Sequence, residues 1–375
     1  MKISAIIAEY NPFHNGHLYQ LEKTKHDLKP DITMAIISGN FVQRGKMACI
    51  PKDIRAKIAI ENGFDIVIEL PTLYAINNAE YFSFGGINTI KNLPNTTLSF
   101  GSECGDIYTL KKVADITKTQ EYNALVKENL RTNSYAVSSI KALDKLNNGF
   151  SGSNNILAVE YLKTIDKLGC NIMPYTVKRA NNYNDNNIKN DFISASAIRN
   201  LQNKELAKEF MPENSYNALS FLSNETAFEN FVLSTIFNLT TNKLSNILDV
   251  SEGLENRIKS AINNVTNYEN FIKQIETKRY SSSRINRILL NAVLDIKKAD
   301  YLQYNLNYLS VLAIKKSKLD ILGYLNNYTK IITKYADTKQ LNDQEKQIYN
   351  IDIKANKLYS LINNFSVKNN MQILD

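Results

Sequence analysis

Two periods of hydrophobicity alternate along the first 200 residues. "ISAIIA" is a short unbroken apolar run and predicts a buried strand. From Gly16 the stretch "HLYQLEKTK" predicts a helix. "DITMAIISG" predicts a second strand, and "KDIRAKIAIENG" a helix stopped at Gly63. "FDIVIELP" is a third strand closed by Pro71. "AEYFSFGGINTIKNL" reads as helix, "TTLSFG" as strand, "NNILAVEYLKTIDKLG" as helix and "NIMPYTVKR" as strand. Strands alternating with helices imply an α/β fold with a parallel sheet wrapped by helices. Ligands of such sheets sit beyond the carboxyl ends of the strands. The loops "EYNPFHNGH", "SGNFVQRG", "ELPTLY", "FGSECGD" and "KRANNYND" therefore face the expected site. The Asn-rich "RANNYNDNNIKND" reads as a loop that orders with ligand.

After about Asn200 the pattern turns mostly helical, in "AFENFVLSTIFN", "LENRIKSAINNV", "INRILLNAVLDI" and "KLDILGYLNNYTKIITKY". "NYLSVLAIKK" fits a short strand or a buried turn. The expected division is residues 1–200 as an α/β nucleotide domain and 201–375 as a mostly helical domain. The length of 375 residues also suits two domains.

Composition adds limits. The formal net charge of +8 fits either a solvated basic surface or a polyanion partner. Cys49, Cys104 and Cys170 form no CxxC pair, which suits a reducing compartment. No apolar stretch approaches the roughly 18 residues of a membrane span. Glu9 and Asn11 interrupt the N-terminal apolar run, unlike a signal peptide. A cytoplasmic protein is expected.

Two of the three histidines stand in "HNGH", directly after the first predicted strand. His14 and His17 are three residues apart, so a helix start presents both rings on one face. Gly16 removes a side chain where a phosphate would approach the backbone. The helix N-terminus adds N–H donors and a positive dipole end. Together they read as a site for nucleotide phosphates, with either imidazole a donor to a non-bridging oxygen or to departing pyrophosphate. A bound anion would favour cationic histidines. A metal pair is the other reading. It wants more ligands, and the chain offers only one further histidine, His26.

A second element, "FISASAIRN", closes the α/β half. Ser194 and Ser196 stand at a helix start, with Arg199 one turn on. Hydroxyls and arginine suit phosphate, and an ordinary Ser-capped helix is the plainer reading. Paired with the upstream HxGH, the combination resembles the HIGH-like and ISSTxIR-like signatures of the nucleotidyltransferase superfamily, a Rossmann-like α/β fold. Within it, "IIAEYNPFHNGHLYQL", "SGNFVQRG", "RAKIAIENGFDIVIELP", "SFGSECGD", "SNNILAVEYLK" and "FISASAIR" resemble the tRNA(Met) cytidine acetate ligase family. The likeness continues at "KRYSSSRINRILLNAVL" and "YNIDIKANKLYSL". The chain departs from the family pattern by lacking a tryptophan after "QRG", a proline before "SNNIL" and a histidine in "RANNYND".

That resemblance implies an enzyme that activates acetate with ATP, releases pyrophosphate, and passes the acetyl group to N4 of the wobble cytidine of elongator tRNA(Met). It implies Mg²⁺ on the phosphates, no acetyl-CoA, and His14 and His17 as catalytic. By position it assigns to the nucleotide Ile7, Ala8, Glu9, Tyr10, Asn11, Pro12, Phe13, His14, Asn15, Gly16, His17, Leu18, Tyr19 and Gln20. Gly101, letting the chain approach the adenosine, Asn154 or Asn155, Arg179, Ser194, Ser196 and Arg199 complete the set. No general base for the amine step stands out. For tRNA, Lys278, Arg279, Arg284 and Arg287 cluster around Tyr280. A solvated helix start, or arginines tied to carboxylates such as Asp295, is the structural alternative. A nucleotidyltransferase moving AMP onto a phosphorylated cofactor precursor, or a non-catalytic RNA-binding relative, are the rival readings. No protein partner is inferred.

Overall fold

A computed structural model describes residues 1–147, 150–179, 192–298 and 304–375. The Asn-rich residues 180–191 thus lie outside the described residues. The strands are β1 (Ile3–Ala8), β2 (Ile32–Ser38), β3 (Phe41–Val42), β4 (Lys46–Met47), β5 (Ile66–Leu70), β6 (Thr96–Ser102), β7 (Ile172–Lys178), β8 (Tyr308–Lys315), β9 (Lys330–Ile332) and β10 (Gln372–Leu374). The helices of the first half are α1 (Asn15–Leu28), α2 (Lys52–Glu61), α3 (Thr72–Ala75), α4 (Ala79–Ile90), α5 (Ile107–Ile116), α6 (Gln120–Asn129), α7 (Tyr135–Asn147), α8 (Ser153–Leu168) and α9 (Ala195–Asn200). Beyond them come α10 (Glu213–Asn217), α11 (Glu225–Asn238), α12 (Thr241–Ser245), α13 (Leu254–Ile262), α14 (Tyr268–Ile275), α15 (Ser282–Leu294), α16 (Asp320–Asn326) and α17 (Asp343–Asn363).

Five parallel strands form the centre of the sheet, in the order β5-β2-β1-β6-β7. Every residue of β2 and β5 is buried. Strands covered on both faces explain why the sequence shows continuous apolar runs rather than alternation. The strand order reverses between β1 and β6, and a cleft opens at such a switch point. The loops after β1 and β6 carry "EYNPFHNGH" and "FGSECGD", so two of the sequence stretches meet there.

The sheet takes strands from both sides of residue 200. "NYLSVLAIKK" becomes β8, which pairs antiparallel with β5, and β8 in turn pairs parallel with β9 and β10. The change of tone near residue 200 marks a change of pattern, while the sheet extends across it. The stretch "KLDILGYLNNYTKIITKY" is not helical throughout. Helix α16 stops at Asn326, and Lys330–Ile332 pairs as a strand. Two asparagines compete with helical backbone bonds, and the β-branched residues after them suit a strand edge beside β8. Among the described residues no helix is long and apolar enough to cross a membrane.

A strap formed by residues 39–51 joins the sheet ends to the C-terminal helices. It contains the small hairpin β3–β4. Phe41 packs on Phe228 of α11 and on Tyr359 of α17. The Tyr359 hydroxyl donates to the Ala48 carbonyl at 2.9 Å. Gly45 at the hairpin turn has φ +70°, and a Cβ there would lie 2.4 Å from the Arg287 backbone nitrogen. Only glycine permits this turn to lie against the backbone of α15.

Candidate active site

Chain direction changes sharply after β1. Tyr10 takes φ +48°, in the left-handed region. Its ring is buried and lies edge-on to Phe13 and His17, with centroids 4.8 and 4.9 Å away. Tyr10, Asn11 and Phe13 are thus the buried floor of the loop. Three contacts fix the loop from outside. The Cys49 N–H donates to Asn11 Oδ1 at 2.7 Å, Ser215 Oγ to the Phe13 carbonyl at 2.7 Å, and Asn15 Nδ2 to the Glu209 carbonyl at 3.0 Å. Gln20 Nε2 donates to the Ser99 carbonyl of β6 at 3.2 Å, tying α1 to the sheet.

His14 and His17 do share one face. Their rings stack with centroids 3.7 Å apart and planes 25° from parallel. His14 is the N-cap of α1. Its Nδ1 accepts from the Gly16 N–H at 3.1 Å, and His17 Nδ1 accepts from the His14 N–H at 3.2 Å. The imidazoles fill the capping role usually taken by Ser, Thr or Asp. This network assigns the acceptor lone pair to Nδ1 and the proton to Nε2 in both rings. Burial, with Arg179 and Arg199 nearby, pushes the His14 pKa down to about 3. Desolvation, the His14 ring and Arg179 hold His17 well below its ordinary range. Both are therefore neutral Nε2–H donors in the free protein, not cations. Protonating either Nδ1 would also break a cap. Gly16 serves the rings more directly than a phosphate, since a Cβ there would lie 3.0 Å from His14 Cε1.

Arg199 reaches back from α9 to donate from Nη1 to the Asn11 carbonyl. Ser194 caps α9, accepting from the Ala197 N–H at 3.1 Å. The Ser-cap reading therefore holds for Ser194, while Ser196 is half-buried in the first turn. Across the cleft, Arg179 Nη1 donates to Asn154 Oδ1 at 3.4 Å. Gly101 leaves room for that arginine: a Cβ would meet Arg179 Cγ at 3.2 Å. Its direct neighbour is thus the arginine stem. The two asparagines separate clearly. Asn155 is buried, and its Oδ1 accepts from the N–H groups of Glu103 and Cys104 at 3.0 and 3.1 Å. It holds the loop after β6, leaving Asn154 as the one beside Arg179.

Sequence reasoning missed a buried guanidinium beneath the loop. Arg55 of α2 is fully buried. It donates to the carbonyls of Glu9 (2.6 Å), Ser38 (3.0 Å) and Ile50 (2.9 Å), and to that of Gly39. The Glu9, Ser38 and Gly39 carbonyls lie at the carboxyl ends of β1 and β2, and that of Ile50 lies just before α2, so one guanidinium satisfies buried carbonyls from three segments. One turn before it, Lys52 forms a buried ion pair with Glu69 at 2.6 Å. Lys52, Arg55, Ala56 and Ala59 share one helical stripe, and that spacing was the available signal.

The basic cluster expected to meet tRNA is more committed than its sequence suggests. Arg279 pairs with Glu252 at 2.8 Å and Arg284 with Asp249 at 2.9 Å, so the partners are these carboxylates and not Asp295. The Tyr280 hydroxyl donates to Glu252 at 3.0 Å, and Arg284 lies over its ring. Arg287 is half-buried beside the hairpin turn. The Lys278 carbonyl accepts from the Ser134 N–H at 3.0 Å.

A family model described as HIGH Nucleotidyl Transferase matches residues 1–373. A tRNA(Met) cytidine acetate ligase of Clostridium botulinum (strain Okra / Type B1) is 36% identical over 394 residues, covering 97% of this chain and 95% of its own. One from Caldicellulosiruptor bescii is 37% identical over 380 residues, covering 96% and 94%. The chain belongs to the HIGH nucleotidyl transferases, in the tRNA(Met) cytidine acetate ligase family. Thermotoga maritima TmcAL matches across all of both chains at 30% identity, with a TM-score of 0.90 for an apo crystal form and 0.88 for a form bound with alpha-thio ATP. In a HIGH nucleotidyl transferase the stacked His14–His17 pair at the start of α1 is the local expression of the signature. In folds of this kind ligands sit at such a switch point, and the His14–His17 pair stands beside it.

Proposed function

We propose that this protein is an ATP-dependent ligase that forms acetyl-adenylate from acetate and ATP, then acetylates N4 of the wobble cytidine of elongator tRNA(Met). The observation that carries this reading is the 36–37% identity, over nearly the whole of both chains, to relatives named tRNA(Met) cytidine acetate ligase. Full-length matching disfavours the transfer of AMP to a cofactor precursor, because the C-terminal helices are shared as well.

The site supplies what the first step needs. Two anions must meet at the α-phosphorus, so catalysis requires alignment and fixed positive or donor groups. His14 and His17 offer Nε2–H donors that stay protonated across the neutral range. Arg179 and Arg199 contribute charge from opposite sides of the cleft. Asn154 holds Arg179, and Arg199 is held by the Asn11 carbonyl. Among the described residues no group of three or more His, Cys, Asp or Glu is placed to hold a metal ion. In this reading Mg²⁺ arrives on the ATP phosphates, keeping water in its remaining positions. The basic segment around Arg279 and Arg284 is the proposed tRNA contact. Localisation in the cytoplasm follows from a tRNA substrate.

Acetate-dependent ATP–pyrophosphate exchange with the purified protein tests the first step. Labelled acetate, ATP and tRNA(Met) should yield labelled N4-acetylcytidine and AMP. Label entering from acetyl-CoA but not from acetate would overturn the ligase reading.

A further inference from the structure

The cytidine amine is a poor nucleophile while it keeps both protons, because its lone pair is delocalised into the ring. Attack on acetyl-adenylate therefore benefits from a group that takes a proton as the C–N bond forms. The histidines do not suit that role. Their Nδ1 lone pairs are occupied by backbone N–H groups, and their Nε2 atoms carry protons.

Carboxylates on the strand ends and the loops beyond them are few. Among the described residues of the five central strands β5, β2, β1, β6 and β7 they are Glu9 after β1, Glu69 at the end of β5, and Glu103 and Asp106 after β6. Three of these are committed. Glu69 is buried against Lys52. Glu103 caps α8, with Oε1 accepting from Asn154 N–H and Nδ2 and Oε2 from Asn155 N–H. Asp106 caps α5 through both oxygens. Glu9 differs. It is half-buried, and its Oε1 accepts from the Gln43 N–H at 2.9 Å while its carbonyl accepts from Arg55 at 2.6 Å. Its Oε2 accepts no hydrogen bond from the described residues. The carboxylate is thus anchored at one oxygen, between the histidine loop and the hairpin whose turn lies on α15, at the start of which the basic segment stands.

Resting on the ligase reading above, we propose that Glu9 is the general base of acetyl transfer. The N4 lone pair forms a bond to the acetyl carbon, the anhydride C–O bond breaks, and AMP leaves with that electron pair. The N4 proton passes to Glu9 Oε2 and then to water. Products are N4-acetylcytidine, AMP and one proton. Charged and titratable groups facing Glu9 from the packed elements are Arg55 of α2 and Tyr161 of α8.

The test is single-turnover transfer from synthetic acetyl-adenylate to tRNA(Met), with acetate-dependent exchange measured in parallel. Glu9→Gln keeps an oxygen for the Gln43 N–H. It should lower transfer relative to exchange by about 10²–10⁴-fold, the usual worth of a positioned base. Glu9→Asp, which keeps a carboxylate, should retain more transfer relative to exchange than Glu9→Gln. A Glu9→Gln ratio within threefold of wild type, or a Glu9→Asp ratio no better than that of Glu9→Gln, overturns the assignment even if a variant folds poorly. Absence of acetate-dependent exchange in the wild type instead removes the ligase reading, and this proposal with it.

Discussion

Single residues at this site do two jobs each. His14 is both an N-cap and an Nε2–H donor, so removing it has separable effects. His14→Ala should lose about 1 kcal/mol of stability with the cap and slow adenylate formation by roughly 2.7–4 kcal/mol, the scale of an oxyanion-hole donor. His14→Asn should restore the melting temperature and not the exchange rate. Recovery of exchange in the Asn variant would mean that the ring acts only as a cap. The sign of the pH effect follows from the depressed pKa. As pH falls below the ordinary histidine value of 6.5, the unfolded chain takes up a proton that folded His14 refuses until about 3. Stability should therefore decline over that window, and His14→Asn should flatten the decline in denaturant titrations. The HNGH pair was legible in the sequence because its spacing alone brings the rings together. Its neutrality was not, because burial and two distant arginines set it.

At the scale of elements, the hairpin β3–β4 is the joint between sheet and helices. Gly45→Ala would place a Cβ 2.4 Å from the backbone of Arg287, at φ +70°. A loss of about 1–3 kcal/mol is expected from overpacking, read as a fall in melting temperature. An unshifted melt would show that the turn does not bear on α15. On α15 itself and the loop before it, Arg284 and Arg279 are ion-paired but partly exposed, so each substitution by Ala should cost under about 1 kcal/mol. If the segment meets tRNA, replacing both should weaken binding and reduce the salt slope by about one for each phosphate that is no longer neutralised. Filter binding across salt concentrations distinguishes this from a purely structural pair, which would leave affinity and slope alone. The sequence marks the basic cluster well. Its partners Asp249 and Glu252, about 30 residues away, emerge only when α13–α15 pack.

Across the whole molecule, the C-terminal helix α17 closes the sheet ends. Asp352 is buried, and its Oδ1 accepts from the Thr72 N–H at 2.6 Å. Asn356 Oδ1 accepts from Asn40 at 2.9 Å, and Asn40 Oδ1 in turn accepts from the Lys52 N–H at 2.8 Å. Burial first, and the Glu69 carboxylate second, raise the Asp352 pKa well above the usual carboxylate range. The folded state then holds a proton that the unfolded chain has released. The stability linked to Asp352 is full below the unfolded pKa and is lost as pH rises towards the raised value. Asp352→Asn should remove this slope, measured by urea unfolding between pH 5 and 8. Lys52→Met should cost about 3–5 kcal/mol, because it strands Glu69 without its cation. A small loss would show that the buried pair contributes little beyond what an apolar side chain supplies there.

What the sequence by itself determined is local. Continuous apolar runs of six or seven residues bounded by turn residues suit strands buried on both faces, and helices between them favour a parallel sheet. "HNGH" after the first run sets two rings on one helical face at the sheet's carboxyl edge. Tertiary structure decided everything that depends on distant segments meeting. β8, β9 and β10 join the sheet from beyond residue 300, because the open edge at β5 needs a partner and "YLSVLAIK" is apolar enough to lie buried there. Lys52 and Arg55 look like solvated charges on an amphipathic helix. The stripe they share with Ala56 and Ala59 hints at burial, but what makes that burial tolerable, Glu69 and the carbonyls at the ends of β1 and β2 converging on them, depends on segments distant in sequence.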